Sequence, residues 1–415
     1  MRKMKDSGAR WIGEIPNTWH SDKLKYHLKR KEPKNPGDMT VLSLYRELGI
    51  IPKDSRDDNH NQTSEDTSKY KYVKPGNFVV NKMKAWQGSV AVSDYEGIVS
   101  PAYYVYEFTD NAFDKRYFHH LLRGCYKDEF MRLSGGMRVG QWDLSSDDLN
   151  NTLILIPPLD EQKKIAEFLD VKCSEIDDLI SDIQAQIETL EQYKKSTVIE
   201  TVTKGLNNNV SMRDSGIQWI DRIPETWDCI RGKYILKYIT KPTREDDGVI
   251  TCFRDGEVTL RSKRREEGFT MADKEVGYQG IDIGDLVVHG MDGFAGAIGI
   301  SDSRGKASPV LNVLETEQNK RYIMYFLRSM AYGNVFLALA TGIRVRSCDL
   351  RWNKLAELFY PIPSLEEQDA IVKHIDRVIE ETNNIISKKK AQIATLEAYK
   401  KSIIFEYVTG KKEVV

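Results

Sequence analysis

No apolar run in this 415-residue sequence approaches the length of a membrane-spanning helix, and the MRKMKDSG start lacks an apolar signal stretch. A membrane-embedded or secreted chain is therefore not expected. Cysteine is scarce, and Cys125, Cys173, Cys229, Cys252 and Cys348 lie far apart with no CxxC spacing. That sets aside a disulfide framework or zinc site and makes a reducing cytoplasm the expected setting. Histidine is scarce too. His119 and His120 are neighbours, but there is no HExxH, so the pair reads as an ordinary feature of a helix surface. A GxxxxGK[ST] phosphate loop is missing, as is a D/N-PP-Y/F tetrapeptide of the kind adenine methyltransferases carry.

What is present suits a globular protein with long, solvated helices: 40% of residues are hydrophobic and 30% charged. The net charge of −1 is unevenly spread, with roughly −5 in 156–205, about zero in 362–415 and roughly +4 elsewhere. Basic stretches such as KYHLKRKEPK (25–34) and RSKRR (261–265) fall in the positive remainder and leave a weak electrostatic footprint.

The dominant signal is a repeat. DSGARWIGEIPNTW (6–19) returns as DSGIQWIDRIPETW (214–227), an offset of 208 residues. The same offset aligns VKPGNFVVNKMKAWQGSVAVSDYEGIVSP (73–101) with IDIGDLVVHGMDGFAGAIGISDSRGKASP (281–309) without a gap. IPPLDEQKKIAEFLD (156–170) aligns with IPSLEEQDAIVKHID (362–376), and LEQYKKS (190–196) with LEAYKKS (396–402), now at 206. A period this long marks a duplicated half-molecule rather than a solenoid.

Each half opens with the W-I-x-x-I-P-x-T-W phrase. Strand-like runs such as NFVV, SVAV and AYYVYEF follow, punctuated by Gly, Pro and Asp. Residues 114–134 and 319–340 show helical periodicity, so each body reads as α+β. GFAGAIG (293–299) spaces its glycines as GxxGxxG and predicts a tight turn, not a nucleotide loop. Each half ends in a long helix, since no Pro or Gly interrupts 160–204 or 365–409. The apolar stripe is read as Ile176, Leu179, Ile183, Leu190 and Tyr193, widened by Ile180 and Ile187, and in the second copy as Ile375, Ile379, Ile386, Ile393, Leu396 and Ile403. A single stripe needs a partner, and the other copy is the obvious one. Acidic pairs Asp160-Glu161 and Glu366-Glu367 suit the helix starts through the macrodipole.

Trp11, Ile12, Ile15 and Trp19 are too apolar to leave in water, and Pro16 stops any helix that would bury them. The second phrase follows the first long helix directly, so it is expected to pack at that helix's end. By symmetry the first phrase packs at the end of the second helix, which closes the chain on itself. The plainer reading is that the phrase is only the first core element of each α+β body.

Taken together, the repeated phrase, the IPPLDEQ entry, the LE-x-YKKS helix end and the two variable bodies resemble the specificity subunit of type I restriction–modification systems. The match covers nearly the whole chain. The resemblance implies an α+β fold with two duplicated target recognition domains separated by two long antiparallel coiled-coil helices, in pseudo-two-fold arrangement. The expected parts are a docking tag (1–19), a first recognition domain (20–155), a central helix (156–206), a second tag (207–227), a second recognition domain (228–361) and a C-terminal helix (362–410). It implies a non-catalytic chain reading one DNA half-site per domain, with the helices setting their spacing. Its partners would be double-stranded DNA, two copies of a modification subunit and a restriction/translocase subunit, with no membrane. S-adenosylmethionine, ATP and Mg would belong to those partners and no cofactor to this chain. The rival readings are a coiled-coil scaffold with protein-binding heads and a nuclease with an unrecognised site.

Candidate DNA contacts fall in two loops per half. In NKMKAWQGS (81–89), Lys82 and Lys84 suit phosphates, Gln87 a base edge and Trp86 a wedge or stack. The counterpart HGMDGFAGA (289–297) loses both lysines and brings His289 and Asp292. In SGGMRVGQWDL (134–144) and TGIRVRSCDL (341–350), Arg138 and Arg344 coincide, as phosphate anchors or as partners of Asp143 and Asp349. Their differing neighbours, Gln141 and Trp142 against Arg346 and Ser347, suit base reading. Arg46, Arg254, Lys263 and Arg264 are the weaker candidates.

Overall fold

The computed structural model describes residues 2–414 except 47, 56–65, 137–141, 208, 265–275 and 340–349. Its contacts divide the chain into two units, residues 1–183 with 391–415, and residues 184–390. Each contains an α+β body and a pair of antiparallel helical segments.

The first unit is built on a four-stranded antiparallel sheet with the order Leu28–Arg30, Tyr103–Phe108, Phe78–Asn81, Val90–Val92. The second has the same sheet from Lys237–Ile239, Leu311–Glu315, Leu286–His289 and Ile298–Ile300. The smaller pairings recur as well. Leu42–Tyr45 with Gly49–Pro52 answers to Ile250–Cys252 with Val258–Leu260. His20–Lys23 with Leu153–Ile156 answers to Asp228–Arg231 with Phe359–Ile362. The run FVV is apolar throughout because the sheet is covered on both faces. Phe78 and Val80 face the main core with Tyr106, whereas Val79 joins a second cluster with Val105, Ala91 and Leu42. Leu286 and Val288 part from Val287 in the same way.

The long helices span Leu159–Lys204 and Leu365–Val408, three residues inside the expected starts at 156 and 362 and two inside the expected ends. Residues 156 and 362 instead end the strands that deliver the chain to each helix. The paired segments run antiparallel. In the first unit Lys400 Nζ meets Asp177 Oδ2 at 2.6 Å and Phe168 stacks on Tyr407. In the second, Lys194 Nζ bonds Asn383 Oδ1 at 2.7 Å. The inward seam follows a coiled-coil repeat, running through Leu169, Cys173, Ile176, Ile180, Ile183, Ile187 and Leu190 in steps alternating four and three. Leu179 and Tyr193, expected in the stripe, stand 51% and 53% exposed, since a strict 3.5-residue repeat passes them by.

Both expected roles of the repeated phrase hold at once. Ile12, Ile15 and Trp19 are buried in the core that also contains Leu24, Tyr106 and Tyr117, and Ile403 and Val408 of the second long helix close it. Ile220, Ile223 and Trp227 meet Val198 and Val202 of the first long helix in the same manner. Two devices fix each tag. The indole N–H of Trp19 donates to Glu161 Oε2 at 3.0 Å, and that of Trp227 to Glu367 Oε2 at 3.0 Å. Arg2 also pairs with Glu161 and reaches Glu413 at 3.0 Å, so the two chain ends lie side by side. The helices then stop at Gly205 and Gly410 in left-handed geometry (φ +76° and +70°), and a Cβ at Gly410 would come 2.5 Å from Pro16 and 3.0 Å from Trp19.

The residue after each of those glutamates ties the helix to the body. Gln162, fully buried, accepts from the N–H of Asp114 and donates to the carbonyls of Ala112 and Pro157. Gln368 likewise accepts from the N–H of Asn319 and donates to the side-chain Oε1 of Gln318 and the carbonyl of Pro363. Asp114 and Asn319 in turn cap the helices Lys115–Cys125 and Lys320–Tyr332. Replacing Glu161 by Ala leaves a buried indole N–H unpaired and is expected to cost about 1–3 kcal/mol. Urea denaturation followed by tryptophan fluorescence checks this, and Glu367→Ala should behave alike in the second unit.

Candidate nucleic-acid interface

The strand Phe78–Asn81 is buried along its whole length, and its end is where the chain must turn. A 3-10 turn at Ala85–Gln87 followed by Gly88 at φ +88° reverses it into Val90–Val92. Buried Ala85 anchors the turn, so Met83 and Lys84 lie exposed and Trp86 and Gln87 half-exposed. The second unit repeats the turn with Gly293–Ala295 and Gly296 at φ +96°, which confirms a turn at GFAGAIG.

Two distant segments converge on the first loop. Arg46, at the turn between Leu42–Tyr45 and Gly49–Pro52, donates through Nη2 to Gln87 Oε1. Lys82 Nζ meets Asp143 Oδ2 at 2.8 Å, and the N–H of Leu144 donates to the Lys82 carbonyl at 2.9 Å. Trp142 lies edge-on to Trp86 with ring centroids 5.5 Å apart. Trp142, Asp143 and Leu144, at the end of the second candidate loop, thus share one surface with the first. The bond to Asp143 raises the Lys82 pKa, and its charge is spent within that pair, leaving exposed Lys84 as the freer cation.

The second unit repeats the convergence with other side chains. Arg254 sits at the position of Arg46 and pairs through Nη2 with Asp292 Oδ1 at 2.9 Å. The N–H of Leu350 donates to the Gly290 carbonyl at 2.8 Å, as Leu144 does to Lys82. His289 turns its Nδ1 into the loop, where it accepts from the N–H groups of Asp292 (3.0 Å) and Met291 (3.2 Å). Burial lowers its pKa, so it braces the loop as a neutral ring. Lys263 is held by Ser303 at 2.7 Å, and Arg264 by Asp255 and Glu257 while lying over the Phe253 ring. Arg138, Gln141, Arg344, Arg346 and Ser347 fall outside the described residues. Asp143, weighed as a partner of Arg138, pairs with Lys82.

One pair was aligned in the repeat but assigned no role from the sequence. Met83 and Met291 coincide in the repeat and stand 46% and 49% exposed, so each loop keeps an apolar tip while Lys84 is exchanged for Asp292 and Gln87 for Ala295. Their identity in both copies, beside polar positions that differ, was the available signal.

A shared scaffold with two differently dressed loops defines a duplicated recognition protein. Known proteins resemble the chain in the same terms. Residues 14–189 match the family model described as the type I restriction modification DNA specificity domain. The chain is 26% identical to the type I restriction enzyme MjaVIII specificity subunit of Methanocaldococcus jannaschii, across 96% of this chain and 94% of that protein. It is 23% identical to the EcoBI specificity subunit of Escherichia coli, across 74% and 67%. Among solved structures, the fold matches a chain from work on complex assembly and conformational transition of the type I R-M system, with TM-score 0.69, 14% identity and coverage of 96% and 99%. It also matches the HsdS subunit from Thermoanaerobacter tengcongensis, with TM-score 0.51, 14% identity and coverage of 96% and 98%. Along nearly its whole length the chain resembles specificity subunits of type I restriction–modification systems, and residues 14–189 match the DNA specificity domain of that family. No helix among the described residues is long and apolar enough to cross a membrane.

Arg46 and Arg254 occupy one position in both units, and an arginine common to two otherwise different loops suits contact with phosphates rather than with base edges. Arg46→Ala and Arg254→Ala are therefore each expected to weaken binding to all duplexes and to flatten the dependence of log affinity on log salt by about one unit. Fluorescence anisotropy across a salt series checks both.

Proposed function

We propose that the chain reads a bipartite DNA site, one half-site per unit, and directs methylation and cleavage performed by partner subunits. Two copies of a modification subunit and a restriction/translocase subunit would complete the assembly, and S-adenosylmethionine, ATP and Mg would be held by them. The observation that carries this reading is the recurrence of one three-segment surface with a shared arginine and methionine but different polar residues. A common scaffold supplies the sequence-independent grip, and Lys84 and Gln87 against Asp292 and Ala295 supply the difference between half-sites. A protein-binding scaffold would have no reason to keep the arginine while exchanging the acceptors and donors around it.

Two outcomes test the reading. Gln87→Ala should relax base preference in one half-site and leave the other intact, measured by competition against duplexes varied one base pair at a time. The loss expected for a good base contact is about 1–3 kcal/mol. Equal loss at both half-sites, or at every duplex, contradicts one-unit-one-half-site reading. The purified chain alone should transfer no methyl group from labelled S-adenosylmethionine, and transfer should appear once the modification subunit is added.

A further inference from the structure

The repeat holds a second exposed element, away from the loops. KYHLK (25–29) and KYILK (233–237) coincide at the 208-residue offset. The leucines have a structural task, since Leu28 and Leu236 are buried in the two cores. The tyrosines do not: Tyr26 is 61% and Tyr234 74% exposed, so their rings contribute little to either core. Both stand in a single helical turn, Leu24–Tyr26 and Gly232–Ile235, that leads into the edge strand of the sheet. The lysine before each is tied to the segment entering the last strand of the body, Lys25 to Asn151 at 3.0 Å and Lys233 to Glu357 at 3.1 Å. The lysine that ends each motif, Lys29 or Lys237, is exposed beside the tyrosine's turn.

Strand register fixes where these patches lie. Phe108 pairs with Leu28, whereas Tyr103 pairs with Asn81, at the other end of the same strand. The patch and the recognition loop therefore sit at opposite ends of Tyr103–Phe108, separated by roughly 17 Å at about 3.4 Å per residue. In the second unit Lys237 pairs with Glu315 and His289 with Leu311, which again puts the two at opposite ends of one strand, roughly 14 Å apart. A base-reading element should lie at the loop end and differ between units. This one lies at the far end and is the same in both, as a partner that meets each unit identically requires. Tyrosine is a residue type that carries binding energy at protein interfaces, and the exposed lysines Lys29 and Lys237 favour carboxylates on the facing surface.

We propose that Tyr26 and Lys29 in the first unit, and Tyr234 and Lys237 in the second, are equivalent docking patches for two copies of one protein partner, the modification subunit, each presenting an acidic surface with an apolar slot for the ring. The inference rests on the two-copy reading given under the proposed function.

The test titrates the modification subunit into the full chain by calorimetry and measures the mass of the complexes by sedimentation. The wild-type chain is expected to take two copies. Tyr26→Ala and Tyr234→Ala should each weaken one of the two sites by tenfold or more, and the double variant both. Lys29→Glu, placed at an exposed position that folding tolerates, should weaken the first site alone. Binding of random duplex by the chain without partner should stay within twofold of wild type. Two copies bound at unchanged affinity by the double variant would overturn the patches and leave the two-copy reading standing. A wild-type chain that takes one copy or none would refute that reading and the patches with it. Loss of duplex binding with partner binding intact would make the element a DNA contact and overturn the proposal.

Discussion

A tryptophan indole bonded to a carboxylate at the start of a long helix is the contact on which each unit depends. Trp19 with Glu161, and Trp227 with Glu367, pull the repeated phrase onto a site where three pieces of chain meet. These are the tag, the first turn of one long helix and the end of the other. In the first unit the tag and the helix end come from the two ends of the sequence, and the core formed by Ile15, Ile165 and Val408 cannot close until both are present. Tyr117 reinforces the closure by donating to the Val408 carbonyl, and Tyr322 does the same toward Pro361 and Val202. Without the indole bond a buried donor would stand unpaired, a cost comparable to a large share of a domain's net stability.

Because that frame is built from side chains common to both halves, the remaining surface is free to differ. The turn after Phe78–Asn81 and its counterpart after Leu286–His289 keep a left-handed glycine, a buried small residue and an exposed methionine, since these fix the backbone and its apolar tip. The polar groups around the tip follow no such constraint. Lys82 finds Asp143, Arg254 finds Asp292, and His289 folds into its own loop. The electrostatic character of the two surfaces is thereby set by local pairing and not by a count of lysines and arginines.

The frame was legible in the sequence because it was written twice at one offset, and because Trp11, Ile12, Ile15 and Trp19 have no place in water. The helices were legible from the absence of Pro and Gly. The seam was misread at Leu179 and Tyr193 because a stripe judged by apolarity does not distinguish a 3.5-residue repeat from a 3.6-residue one until the partner helix selects it. The acidic pairs at the helix starts were read only as dipole partners. The bond that Glu161 makes to Trp19, 142 residues away, follows from tertiary closure alone. Arg46 ranked low as a surface charge for the same reason, since only the fold brings it to Gln87, 41 residues on. Exposure was equally invisible in the one-dimensional pattern, and it is exposure that singles out Met83 and Tyr26 among the repeated residues.

The central claim is that each unit reads its own half of the DNA site on a common frame. A chain in which residues 228–361 are replaced by a second copy of residues 20–155, assembled with its modification subunit, puts that claim to a direct test by mapping methylated sites across a genome. The account predicts that methylation moves to sites containing the first half-site twice and leaves the original site. Methylation that persists at the original asymmetric site would contradict it.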